Sequence, residues 1–373
     1  MLAAALLLVV VAGAGGLWWR QKHPAKIPPS HPAVVLNTKK LPVVPSLLLV
    51  ERKPEAPREK TSSVPVAVLP AVSTNAPQSV LEPAAAEFPR PAGNVLEVQI
   101  ALARRALSPG SIDGAMGPQT RAAIAAFQRS HKLFQSGALD TNTLARLTLA
   151  APALTNYVVT TNDLARLQPL GRTWLAKSEQ SALDYETILE LVAERAHAHP
   201  ALIRKLNPEV DWRNVPAGTV LKIPAVEYPA LDDKAAFVVI HLSKRFLEAF
   251  GAETNLLAHF PCSIAARVDK RPVGELHVIV VAPHPNYTVN PELFPESAEL
   301  QMLGHKLILP PGPNNPVGVA WIGLDRPGYG MHGTPAPEQI GRTESHGCFR
   351  LANWDADYLL KLVWIGMPVE VEP

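Results

Sequence analysis

The sequence predicts a multidomain α+β chain, in which a small three-helix domain and a smaller mixed α/β module precede a β-rich C-terminal domain. Three observations predict it. Between Asn94 and Leu149, apolar residues recur at helical spacing between turn signals. From Tyr157 to Pro224 a strand, two helices and an alternating strand follow one another. After Asp232, short apolar and β-branched runs alternate with Gly, Pro and Asn. At 373 residues, with 47% hydrophobic and 18% charged, the chain has material for more than one core.

The N-terminal part carries no such pattern. An apolar run from Leu2 to Trp19 is followed by Arg20 and Lys22, and residues 1–23 read as an export signal or membrane anchor. Ala12-Gly13-Ala14 offers a small-residue cleavage site within it. Residues 24–92 read as a disordered Pro/Ala-rich linker. Fourteen of the 38 prolines lie between Pro24 and Pro91, where fixed φ angles favour extended chain over collapse. Leu47 to Val50 is the one patch there with strand character.

A helical domain is expected over residues 93–150. Its first helix follows an Asn94 cap and turns Val95, Val98 and Leu102 inward. Pro109-Gly110, Asp113-Gly114 and Gly117-Pro118 form turns, then Thr120, Ile124 and Phe127 share a second helical face. A third helix starts after Asp140, with Leu144 and Leu147 inward. The IDG, G-x-x-T, AI-x-x-FQ and G-x-LD-x-x-T elements of this stretch resemble the three-helix peptidoglycan-binding domain. That resemblance implies peptidoglycan as a partner.

Residues 155–226 form the second unit: a strand at Tyr157 to Thr160, a helix face of Ile188, Leu191 and Val192, and a helix after Pro200 stopped by Asn207-Pro208. Its closing strand is GTVLKIP, Gly218 to Pro224. The order and the NP and GT-x-L-x-IP elements resemble a LysM carbohydrate-binding module, with an insertion near Pro169 to Gln180. Residues 234–373 are the β-rich domain, read as an antiparallel fold with strands at Phe237 to Leu242, Phe246 to Phe250, Leu276 to Ala282 and Val317 to Leu324. A late helix, Asn353 to Val363, is expected to be capped by Asn353.

Charge and cysteine usage narrow the function. The net charge is +2 and no Lys/Arg cluster tracks a phosphate backbone, so nucleic acid is not expected as a partner. Two cysteines, Cys262 and Cys348, are too few for a disulfide scaffold or a four-thiolate zinc site, and neither metal nor cofactor is expected. Cys262, in HFPCSIAA, reads as inert core.

The chemistry concentrates between Tyr329 and Asp355, in YGMHGTPAPEQIGRTESHGCFRLANWD. A thiol attacks as thiolate, and at its ordinary pKa of about 8.5 little is ionised at neutral pH. A neighbouring imidazole can take the proton and later return it to a leaving amine. Both His332 and His346 are candidates, and residue spacing does not choose between them. Backbone amides around Gly347 and Cys348 are candidates for an oxyanion hole.

At this point His332-Gly333-Thr334 and Ser345-His346-Gly347-Cys348-Phe349-Arg350 resemble the HGT and SHGC-x-R signature of the YkuD-type L,D-transpeptidase catalytic domain. PPGPNNPVG (Pro310 to Gly318), Ile340-Gly341 and GMPVEV (Gly366 to Val371) extend the likeness. The resemblance implies Cys348 as nucleophile, His332 as base, His346 and Gly347 beside the thiol, and Gly333, Ser345 and Arg350 on the substrate side. Because glycine follows His332, a backbone carbonyl is expected to orient the ring. The implied reaction is acyl transfer on peptidoglycan stem peptides in the cell envelope through a cysteinyl thioester. Hydrolysis by the same thioester and non-catalytic wall binding are the rival readings.

Overall fold

The computed structural model describes residues 87–373 except positions 343, 344 and 346. The export segment, the linker with its Leu47 to Val50 patch, and His346 therefore lie outside the described residues.

Helix α1 (Val95–Ala103) begins where Asn94 accepts a hydrogen bond from the Glu97 amide at 3.0 Å, the cap the sequence indicates. Helices α2 (Pro118–Ser130) and α3 (Thr141–Arg146) follow, the last capped by Asp140 on the Thr143 amide at 2.7 Å. Short strands β1 (Arg90–Pro91) and β2 (Thr148–Leu149) pair and close this unit. Val98, Leu102, Ile124, Phe127 and Leu147 are fully buried, as their spacing requires.

The middle unit pairs β3 (Leu154–Val158) with β4 (Val220–Pro224) antiparallel. Between them run α4 (Thr161–Ala165), α5 (Trp174–Ser178), α6 (Ile188–Arg195) and α7 (Pro200–Leu206). The first strand starts and ends earlier than Tyr157 to Thr160, because Thr160 is the cap of α4: its side chain accepts the Asp163 amide while Asp163 accepts the Thr160 amide. The expected insertion contains α5. One buried cluster joins Ile100 and Phe127 to Leu191 and Ile203, so the helical and middle units share a core.

The C-terminal sheet has eight strands: β5 (Phe237–His241), β6 (Phe246–Phe250), β7 (Leu256–Pro261), β8 (Gly274–Pro283), β11 (Ala320–Leu324), β12 (Gly330–His332), β13 (Phe349–Arg350) and β14 (Pro368–Glu372). Their order is β13-β12-β11-β8-β14-β5-β6-β7. The antiparallel expectation needs correcting in two places, since β12–β13 and β14–β5 are parallel. Both pairs join strands far apart in sequence, and β14 enters after helix α9 (Asn353–Leu362). An excursion between β8 and β11 holds β9 (Tyr287–Val289), α8 (Ala298–Leu303) and β10 (Leu307–Leu309).

The helical unit completes the far edge of the sheet. The Ser108 amide donates to His259 O at 2.8 Å, and the His259 amide to Ala106 O at 2.9 Å, covering a strand edge that would otherwise be open. Arg129 of α2 pairs with the buried Glu248 of β6. Ser108 and Tyr228 both donate to the buried carboxylate of Asp355 on α9. The Glu194 and Asp355 carboxyls are each pushed up to about 7 by burial.

Candidate active site

The site is built on three adjacent strands. Trp321 of β11 stands opposite His332 of β12, and His332 opposite Arg350 of β13. Cys348 lies in the bend that leads into β13, two residues before Arg350. Gly330, two before His332, has no side chain to crowd the face that carries His332. A Cβ there would come within 2.8 Å of the Trp321 ring. With that space open, the indole lies against the imidazole, centroids 5.6 Å apart and planes inclined by 28°.

His332 is buried, and its Nδ1 lies 2.6 Å from Gly333 O. A carbonyl only accepts, so Nδ1 carries the proton and the Nε2 lone pair is left to receive another. A backbone carbonyl thus orients the ring, as expected from glycine at the next position. Burial, with a smaller contribution from the Arg350 charge, pushes the imidazole down to about 4. Burial pushes the Cys348 thiol up to about 11, opposed by the Gly330 backbone and the Arg350 charge. Sγ donates to Gly328 O at 3.3 Å. At neutral pH the resting pair is therefore thiol and neutral imidazole. An imidazole near a thiol favours the thiolate; desolvation, which spacing does not reveal, acts the other way.

The segment carrying Cys348 is pinned from both sides. The Ser345 amide donates to Ile264 O at 2.8 Å, the Ala266 amide to Ser345 O at 2.9 Å, and Ser263 exchanges two backbone bonds with Arg350. Ser345 Oγ donates to Cys348 O and accepts the Gly347 amide at 3.2 Å, so both are engaged in shaping the turn. Gly333 packs where a Cβ would lie 2.2 Å from Asn353 Oδ1. Arg350 is half-buried beside the thiol.

Asn353 was expected as a helix cap, and that assignment is corrected. It is the first residue of α9, Ala352 holds the cap position, and the Asn353 side chain turns to the HGT segment instead. Its Oδ1 accepts the Thr334 amide at 3.0 Å and the Val319 amide at 3.3 Å. Its Nδ2 donates to Glu194 of the middle unit and to Pro313 O. Burial holds the Tyr287 hydroxyl of β9 above its ordinary range, with a smaller contribution from Cys348 opposed by the Arg350 charge. Neither Trp321, Tyr287 nor Glu194 was marked by sequence reasoning, because each reaches the motif only through the fold. Cys262 is fully buried, its thiol pushed up to about 12, in keeping with inert core.

Comparison with known proteins agrees with this geometry. The family profile of the YkuD L,D-transpeptidase catalytic domain matches residues 235–371, and that of the "Putative peptidoglycan binding domain" matches residues 91–147. "Putative L,D-transpeptidase YkuD" of Bacillus licheniformis is 26% identical over 188 residues, covering 50% of this chain and 94% of that protein. "Probable L,D-transpeptidase YbiS" of Escherichia coli is 31% identical over 167 residues, covering 44% of this chain and 53% of that protein. The chain thus spans about half the length of the second relative. A solved L,D-transpeptidase structure from Xylanimonas cellulosilytica aligns with 78% of this chain and 100% of that chain, at 16% identity and a TM-score of 0.32, a likeness that carries no weight in the assignment. With the HGT and SHGC-x-R segments brought together on paired strands, the C-terminal domain of this chain belongs to the YkuD family of L,D-transpeptidases, behind a peptidoglycan-binding domain.

Proposed function

We propose that the protein forms peptide cross-links in peptidoglycan by two acyl transfers through Cys348. The sulfur attacks the carbonyl of the third stem-peptide residue as His332 Nε2 takes the thiol proton, and D-alanine leaves with that proton on its amine. An amine of a neighbouring stem then attacks the thioester, giving the new amide and returning the thiol. The single observation that supports this reading is the pairing of β12 with β13, which sets His332 opposite Arg350, two residues after Cys348, with Nδ1 held by Gly333 O so that Nε2 is left to take a proton. Because the resting pair is neutral, proton transfer is expected to accompany attack rather than precede it. Arg350 is assigned to the substrate carboxylate, Gly333 and Ser345 to holding the substrate-facing loops, and Gly347 and the flanking His346 to the surroundings of the thiol. The N-terminal apolar run and Pro-rich linker are assigned to export into the envelope, where the run either anchors the chain or is cleaved.

Incubation of the purified protein with disaccharide tetrapeptide, followed by mass spectrometry, tests the reaction. A cross-linked dimer is the expected product. Tripeptide alone would make the enzyme a hydrolase using the same thioester, and unchanged substrate would reduce it to a wall-binding protein.

A further inference from the structure

The excursion between β8 and β11 leaves the sheet beside the catalytic strands. β8 ends at Pro283, opposite Ala320, the residue before Trp321, and the chain then enters β9 at Tyr287. The partner strand β10 runs on into Pro310 to Gly318, the segment that delivers β11. β9 and β10 form a two-stranded sheet of their own, with Leu309 opposite Tyr287. A pair of strands is marginally stable alone, so the direction in which this one points depends on what packs behind it.

What packs behind it is the inserted segment of the middle unit. Leu170, Trp174 and Leu183 join Val289, Leu300 and Leu309 in a buried cluster separate from the two larger cores, and Tyr287 packs against the same cluster. Trp174 lies against Phe294, ring centroids 5.8 Å apart. Glu299 of α8 accepts the Leu175 amide at 2.9 Å and the Trp174 amide at 3.1 Å, so one carboxylate holds two of the amides that a helix start leaves free. The segment leaving β10 is fastened too. The Leu183 amide donates to Pro311 O at 2.9 Å and the Asn314 amide to Leu183 O at 3.0 Å, past Gly312, where a Cβ would lie 2.1 Å from Leu183 O. The insertion is closed on itself, because Gln180 Nε2 donates to Pro169 O at 3.0 Å while its Oε1 accepts the Gly171 amide at 2.8 Å.

We propose that Trp174 and Glu299 are positioning residues for the reaction: through them the middle unit holds the β9–β10 pair, and with it Tyr287, at the substrate side of Cys348. The identity of the substrate rests on the cross-linking reading above. Tyr287 is near enough to the thiol that its hydroxyl, governed first by burial, also responds to Cys348 and Arg350. His332 and the Cys348 segment are held separately, by β12, β13 and the bonds of Ser263 and Ser345. Loosening the brace therefore costs substrate binding before it costs bond making.

The test uses the full chain with Glu299→Ala, Glu299→Gln, Trp174→Ala and Trp174→Phe. Hydrogen exchange read by mass spectrometry should speed up about tenfold in β9 and β10 of both alanine variants, with β5 to β7 exchanging as in the wild type. KM for disaccharide tetrapeptide should rise about fivefold with kcat within about twofold. Trp174→Phe should restore most of both, and Glu299→Gln, which keeps one acceptor for two amides, should fall between. Should an alanine variant fail to fold, the Phe and Gln variants carry the same measurements. Unchanged exchange, faster exchange with unchanged KM, or a loss confined to kcat would each overturn the proposal. Iodoacetamide labelling of Cys348 needs no turnover and should quicken about threefold in the alanine variants as the site opens. If the wild type leaves disaccharide tetrapeptide unchanged, quicker labelling sinks the cross-linking reading and keeps the brace, whereas an unchanged labelling rate sinks the brace.

Discussion

Glu194 and Asn353 are joined by a 2.9 Å hydrogen bond, from Asn353 Nδ2 to Glu194 Oε2, that ties the middle unit to the segment holding His332. Glu194 is braced by Tyr185 OH at 3.0 Å, and Asn353 Oδ1 holds the Thr334 amide one residue after Gly333. Gly333 O in turn orients the His332 ring. The His332 ring is therefore tied to a polar chain that starts outside the catalytic domain.

Asn353→Ala should lower kcat by about tenfold to a hundredfold, because small displacements of a base from its line of attack cost rates of that order. KM for disaccharide tetrapeptide should change little. Steady-state kinetics on a variant with a native circular dichroism spectrum checks this, and an unchanged kcat would remove Asn353 from the positioning of His332.

Replacing Cys348 by Ala should abolish turnover. Cys262→Ala should retain it and cost about 1 kcal/mol, comparable to deleting one buried heavy atom elsewhere. Urea unfolding and the mass-spectrometric assay measure both. Loss of turnover in folded Cys262→Ala protein would show that the nucleophile is wrongly assigned.

The alkylation rate of Cys348 should climb tenfold per pH unit from pH 7 towards 10. With the thiol pushed up to about 11, only roughly one molecule in 10⁴ is thiolate at pH 7. Iodoacetamide labelling across that range reads it directly. A rate already level at pH 6 to 7 would reveal a preformed thiolate–imidazolium pair and contradict the neutral resting state. Cys262 should label only after unfolding.

Asp355 should make the fold less stable as pH rises. Its folded carboxyl sits at about 7, above the ordinary 3.8, so the folded state holds a proton that the unfolded state has lost. That contribution is fully present below about pH 4 and is lost as pH rises through 7. Asp355→Asn should therefore narrow the difference in unfolding free energy between pH 5 and pH 8 by an amount on the order of 2–4 kcal/mol. Parallel wild-type and variant curves in denaturant titrations would disprove the shift.

The Asn94 cap, a helix after Asp140, the buried helical faces and the family likeness carried by the HGT and SHGC-x-R segments were legible in the sequence. Each depends on local periodicity or on residue types whose chemistry is their own: a thiol and an imidazole among glycines announce themselves wherever they fold. The tertiary structure alone decided the rest. Parallel pairing of β12 with β13 set His332 opposite Arg350, two residues past Cys348, and it joins segments 17 residues apart through a loop that no periodicity describes. Asn353 looks like a cap in sequence because its type and position suit one; only the approach of Thr334 and Val319 gives its side chain stronger partners. The same is true of ionisation. Burial raised Cys348 and lowered His332 against the direction their adjacency suggests, because desolvation is set by everything packed around a group and not by its neighbours in the chain.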